Sequence, residues 1–362
     1  MSANAAVREV VITGFGVVSP LGHSAPDLAR RVAAGERAVG DADGVRIGAI
    51  PLEVVPAAAR TRIGRLDRVC RLALAASFLA VEDAGLALPF AAPERVGLAF
   101  GTGLGCLLSD AEFFEKVVAQ GAPAASPRVF AYTVSSAAAG EVSIALGLHG
   151  PNTTLHMGLA AGAGALGYAA DLIHLGRADV VFAGGVDAHD AALATALRDM
   201  GLLKGADAAR PFADAVPGLW PSEGAAIAVV ERADHAAARG ARVHARLRAH
   251  AEGFEPTLTT RMPDADGVAA TLRRALRDQA PPDLVLASAH GTPLDPVERA
   301  AFAAAGLGGV RMLAPKAQLG DAYGASSALA VAMAPFLGVE RVLVSAVCPG
   351  GSVGAVLLER GA

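Results

Sequence analysis

Three kinds of residue in this 362-residue chain could carry chemistry, and their spacing limits what that chemistry can be. Cys70, Cys106 and Cys348 are scattered, with no CxxC pair. Neither a disulfide framework nor a zinc site is therefore expected, and a reducing cytoplasmic setting is the default. His290 lies in Ala289-His290-Gly291-Thr292, and Lys316 and Asp321 follow in the second half. The stretch from Gly150 to Gly162 reads as a buried strand, a sharp turn of small residues and a glycine/alanine-rich helix. An elbow of this kind presents one side chain at a helix N-terminus, where free N–H groups and the macrodipole favour an anion. It is a natural seat for a cysteine thiolate. Here the turn offers Gly158, Leu159, Ala160 and Ala161, and none of these is a nucleophile.

Short valine-rich strands alternate with helical stretches, as in an α/β fold with buried strands. The strand candidates are Val10–Gly14, Val17–Gly22, Val96–Phe100 and Asp179–Asp187, with an amphipathic helix at about 67–83. Parts of the pattern return. Leu98-Ala99-Phe100-Gly101-Thr102-Gly103 is echoed by Leu286-Ala287-Ser288-Ala289-His290-Gly291-Thr292. The elbow, its helix and Val180–Gly185 are echoed by Leu313–Lys316, a small-residue helix at 324–334, Val339–Ser345 and the pair Gly350-Gly351. A duplicated, pseudo-symmetric fold is expected, with its seam near 241–252 and halves of 1–242 and 243–362.

Composition removes several functions. Hydrophobic residues at 53% and charged residues at 18% allow a large dry core. A net charge of −4 gives no footprint for nucleic acid. Met1–Ala6 is too short and polar for a signal peptide, and no uncharged apolar run is long enough to cross a bilayer. The loop Gly101–Gly105 has the wrong spacing for a dinucleotide, and no cofactor or metal is expected.

The motifs taken in order resemble the β-ketoacyl-acyl carrier protein synthase family across nearly the whole chain. They are Val10–Gly22, Arg95-Val96-Gly97, Gly147–Pro151, Ala183–Asp187, Arg210-Pro211-Phe212 and Ser222–Ala225. Ala289–Thr292, Asp295–Glu298, Pro315-Lys316 and the late glycine pair continue the series. The resemblance implies a duplicated thiolase-like α/β fold, layered α-β-α-β-α. It also implies a catalytic cysteine at position 159 and two histidines that support decarboxylation and hold the enolate oxygen. The first histidine matches His290. The second, in a Lys-x-x-x-Gly-His pattern after Lys316, falls on Asp321, and an ionised carboxylate only accepts hydrogen bonds. Lys316 is expected to neutralise Asp321 and Glu298, and His290 to be structural. His156 and His189 match no family role.

Two trimmed segments point the same way: the short loop after His290, and the direct link Phe336–Val339. A family member that keeps the scaffold but loses the catalytic positions Leu159 and Asp321 is similar to the chain length factor. That subunit pairs with an active ketosynthase in type II polyketide, polyene or fatty-acid-like biosynthesis and works with an acyl carrier protein. By resemblance, pairing would use the strand at about 152–157, with Asn152, Thr154 and His156. Phe130, Tyr132 and Thr133 would lie at the tunnel. Two other readings remain. One is a divergent acyltransferase or thiolase-like enzyme using Cys348, in a Cys-Pro-Gly-Gly loop like that of thiolases, or His290; otherwise Cys348 is expected to be a buried, inert thiol. The second is a catalytically dead, homodimeric acyl-binding protein.

Overall fold

The computed structural model describes residues 8–61, 63–203, 211–212, 218–256 and 262–361. Met1–Ala6 and Arg210 lie outside them. Ten strands make one sheet: β1 (Val10–Val18), β2 (Val96–Thr102), β3 (Asn152–His156), β4 (Val180–Asp187), β5 (Gly224–Arg232), β6 (Ala245–Phe254), β7 (Leu284–Leu286), β8 (Arg311–Leu313), β9 (Arg341–Val347) and β10 (Ser352–Arg360). Their order is β3-β2-β4-β5-β1-β6-β10-β9-β7-β8.

That order is a mirror image about the β1–β6 contact. Outward from the centre, each half places its first strand, then its fifth, fourth, second and third. The pairings mirror too: β2 pairs with β3 and β4 in parallel, and β7 pairs with β8 and β9 in parallel, while the inner pairs are antiparallel. The join is short, with Val11 opposite Arg246 and Ile12 opposite Ala245.

β1, β2 and β4 are buried along their whole length, so both faces of the sheet are covered. The helix Ala161–His174 that follows the elbow touches β2 and β4 on one side and β6 and β10 on the other. Its counterpart Gly324–Met333 likewise bridges β4, β5 and β9, and the two helices touch each other. Both are built almost wholly of alanine, glycine and other small or apolar residues, which lets them fill the narrow layer between the halves. Arg68–Asp83 and Ala137–Leu146 cover the outer face of the first half, and Ala265–Ala275 and Leu294–Ala304 that of the second. The result is α-β-α-β-α, with one apolar cluster around the central helical layer and one beneath each outer helical layer.

Val10–Gly14 and Val17–Gly22 are not two strands. β1 runs unbroken from Val10 to Val18, and Ser19–Gly22 is a tight turn closed by reciprocal backbone bonds. Gly16 keeps the strand flush against its helix, since a Cβ there would lie 1.7 Å from the Ala76 carbonyl.

Candidate functional site

The elbow forms where the sequence places it. β3 ends at His156, one 3-10 turn spans Gly158–Ala160, and the helix begins at Ala161. Gly158 has φ +56°, and a Cβ there would lie 2.5 Å from Cys348 Sγ, so glycine is required on both counts. The helix N-terminus is already occupied: Ser327 Oγ accepts from the Ala163 N–H at 3.0 Å. Leu159 belongs to a satellite apolar cluster with Leu104, Leu193, Leu202, Leu219 and Tyr323. The position that could seat a thiolate is a packing residue. Behind it lies a void of about 10 Å³, bordered by Lys316, Ser327 and Ser345, with room for about one water and none for an acyl chain.

Facing the elbow, a cleft of about 380 Å³ is walled by Leu104, Leu159, Leu202, Leu219, Met262 and Pro349. His290, Thr292, Asp321 and Cys348 also line it, so the structure brings the separate motifs of the two halves to one place. Lys316, Asp321 and His290 are all buried there. Lys316 Nζ lies 3.1 Å from His290 Nδ1 and 3.2 Å from Asp321 Oδ1. His290 Nδ1 also lies 3.2 Å from Asp321 Oδ2 and 3.3 Å from the Ser288 carbonyl, and Nε2 is 2.9 Å from Thr292 Oγ1. Burial and then the Lys316 charge push His290 down to about 4, so the ring is neutral. Burial works to raise Asp321, but the Lys316 charge, with hydrogen bonds from Lys316 and Ser326, holds it below the ordinary carboxylate range. Its Oδ1 also accepts from the Tyr323 N–H at 2.9 Å. Lys316 and Asp321 therefore cancel beside a neutral ring.

Glu298 does not share Lys316 as a bonded partner. It accepts from the Ser288 N–H at 2.9 Å and Ser345 Oγ at 2.7 Å, and burial pushes it up to about 7. Asp187, at the end of β4, is likewise raised to about 6 by burial. It accepts from Thr102 Oγ1 and from the N–H groups of Gly103, Leu104 and Gly324, tying the glycine loop to the start of the counterpart helix. Tyr323 precedes that helix at φ +50°, a costly conformation for a tyrosine, and its ring is buried in the satellite cluster. His189 is buried, with Nε2 2.8 Å from the Asp43 carbonyl, whereas His156 is exposed. Cys348 is only partly buried and lines the cleft, which corrects its expected burial.

The residues read as tunnel and dimer contacts gather at one side. Among the described residues β3 is an edge strand paired with β2 alone. Asn152 and His156 are exposed on it, and Asn152 Nδ2 donates to Ser143 Oγ at 2.7 Å. Thr154 Oγ1 is buried without a partner. Phe130 is 59% exposed and packs on Phe113 with ring centroids 5.6 Å apart. Tyr132 is partly buried and donates to Glu141, and Thr133 Oγ1 donates to the Phe130 carbonyl. Sequence reasoning missed the helix Leu107–Gln120. It carries Leu107, Leu108, Phe113, Phe114, Val117 and Val118, yet none of its residues is fully buried. The signal was there in those paired apolar residues at helical spacing.

The β-ketoacyl synthase N-terminal domain model matches residues 7–236. Nodulation protein E of Rhizobium leguminosarum bv. trifolii is 34% identical over 309 residues, covering 79% of this chain and 73% of the relative. The 3-oxoacyl-[acyl-carrier-protein] synthase 2 of Coxiella burnetii is 30% identical, covering 82% and 76%. Among solved structures, the ishigamide ketosynthase/chain length factor aligns with a TM-score of 0.86 at 26% identity, covering 98% of this chain and all of the aligned one. With these matches and the mirrored thiolase-like sheet, the chain belongs to the β-ketoacyl synthase family.

Proposed function

We propose that this chain is a non-catalytic chain length factor, paired with an active ketosynthase whose acyl-chain tunnel it helps to wall in type II polyketide, polyene or fatty-acid-like biosynthesis. One observation carries the reading. The elbow seat is filled by Leu159 within an apolar cluster, so the elbow presents no nucleophile to the cleft. The closed Lys316–Asp321 pair supports it. A condensing site needs donors aimed at a developing oxyanion, and here a carboxylate takes that place. The halves 1–242 and 243–362 act as the two copies of the duplicated unit.

The unpartnered side of the molecule suits the pairing. An open edge strand beside the helix that carries exposed Ile144 calls for a protein cover, and Phe114, Val118, Phe130 and Val134 are further exposed apolar side chains. Next to it, Arg65, Arg71 and Arg128 border a recess of about 360 Å³, a basic surface suited to an acidic carrier protein. A solved complex of a type II polyketide acyl-carrier protein with its ketosynthase shares the fold, at 20% identity.

The test is intact-protein mass spectrometry after incubation with an acyl-loaded carrier protein. The expected result is no adduct on the isolated chain. The position of Cys348 on the cleft favours a second reading, a divergent acyltransferase or thiolase-like enzyme. A rapid, stable acyl adduct on Cys348 would establish that reading instead.

A further inference from the structure

Two helices of the first half begin side by side, and their first turns are reciprocal. Arg68–Asp83 has Asp67 as its N-cap and Cys70 as its third residue, while Leu107–Gln120 has Cys106 as its N-cap and Ser109 as its third residue. Asp67 holds both helices. Its Oδ1 accepts from the Val69 N–H at 3.0 Å, and its Oδ2 accepts from the Ser109 N–H at 3.1 Å and from Ser109 Oγ at 2.6 Å. One N-cap is thus seated on the third residue of the other helix. The same crossing sets Cys106, the second N-cap, against Cys70. The two cysteines are 2% and 0% exposed, lie in one apolar cluster and are free thiols. The Cys106 sulfur, and then burial, push the Cys70 thiol up, so Cys70 is neutral while the helices are closed on each other.

We propose that Cys70 and Cys106 form a reversible disulfide that latches helix Leu107–Gln120 onto helix Arg68–Asp83 when the chain meets an oxidised small-molecule disulfide. The step is thiol–disulfide exchange. One cysteine thiolate attacks the reagent, whose S–S bond breaks as a mixed disulfide forms and one thiol leaves. The other cysteine then attacks the protein sulfur of that mixed disulfide, the Cys70–Cys106 bond forms, and the second reagent thiol leaves. Two protein thiols are oxidised, one reagent disulfide is reduced to two thiols, and the two cysteine protons end on them. Access comes from the younger of the two contacts in the fold. No residue of Leu107–Gln120 is fully buried, so its first turn opens at less cost than the whole domain. Opening removes the burial that suppresses the thiolate and leaves each cysteine in the first turn of a helix, which favours it. The latch bears on a surface as well as on a helix. Leu108, Ser109 and Glu112 line the recess that Arg65, Arg71 and Arg128 border.

The test is incubation of the full, unmodified chain with oxidised glutathione, alkylation of the remaining thiols under denaturing conditions, and non-reducing peptide mapping. The expected product has lost two hydrogens and links Cys70 to Cys106, and dithiothreitol restores both thiols. Hydrogen exchange across Leu107–Gln120 is expected to slow by about tenfold in the linked chain. Both thiols still free, glutathione left on either one alone, or a link from either to Cys348 would overturn the disulfide. A linked chain whose helix exchanges as fast as before would overturn the latch. Cys106→Ser is expected to leave Cys70 with no protein partner, and the measurement on the unmodified chain decides the matter even where that variant fails to fold.

Discussion

Lys316 Nζ lies 3.2 Å from Asp321 Oδ1, with both side chains buried and five residues apart. Gly320, at φ +76°, turns the chain between them, so the carboxylate folds back onto the ammonium that begins its own short helix. The pair closes the polar end of the cleft.

Breaking the pair on one side should be costly. Asp321→Asn leaves a buried ammonium without its counter-ion, and a loss of about 3–5 kcal/mol in unfolding free energy is expected. The double variant Lys316→Met with Asp321→Asn should recover most of it. Denaturant unfolding of the four proteins in the cycle measures the coupling. A single variant as stable as the parent would show that the pair does not hold the cleft closed.

Leu159→Cys should not restore condensation. Loss of one oxyanion donor alone typically lowers the rate by about 10²–10³, and Asp321 puts a carboxylate in that place. The void of about 10 Å³ behind the elbow also leaves an acyl chain no room. Carrier-protein-dependent condensation by Leu159→Cys alone would contradict this placement of the second half.

Glu298 gives a pH signature. Its folded pKa is raised to about 7 from 4.5, so the folded state binds the extra proton. Stability from this group is full below about pH 4.5 and is lost as pH rises through 7. Glu298→Gln keeps the acceptor for Ser288 and Ser345 without the charge. It is expected to stabilise the protein by about 1–3 kcal/mol at pH 8.5 and to change little at pH 4.5. Melting temperatures at the two pH values decide it. An equal effect at both would remove the titration from the account.

His250 works in the opposite direction to a buried neutral histidine. It bridges Asp171 of the elbow helix, at 3.3 Å, and Glu252 of its own strand, at 3.2 Å. Burial alone would lower it, but Glu252 and Asp171 outweigh burial and raise it above 6.5. Its contribution is complete below pH 6.5 and is lost as pH climbs through the raised value. His250→Asn should therefore cost stability at pH 6 and less at pH 9, as read from denaturant midpoints.

Much of the layering was legible because buried strands and small-residue helices leave direct marks in composition. The echo of Leu98–Gly103 in Leu286–Thr292 pointed to two copies, and the strand order is mirrored about the β1–β6 contact. What sequence could not give was proximity. Whether Lys316 would choose Asp321 or Glu298 depended on the Gly320 turn and on Ser288 and Ser345 reaching Glu298 first. Cys348 read as buried because a Cys-Pro-Gly-Gly turn carries no sign of which side faces a cleft. The helix Leu107–Gln120 was missed although its paired apolar residues recur at helical spacing, and none of them is fully buried in the single chain.

The central claim is the pairing, and the most direct measurement is native mass spectrometry of this chain co-expressed with an intact ketosynthase, followed by product analysis of the recovered complex. The account expects a one-to-one heterodimer in which Phe130→Ala, a change at a residue 59% exposed in the single chain, leaves complex and turnover intact and lengthens the product. A homodimer of this chain that becomes acylated and condenses substrate by itself would contradict it.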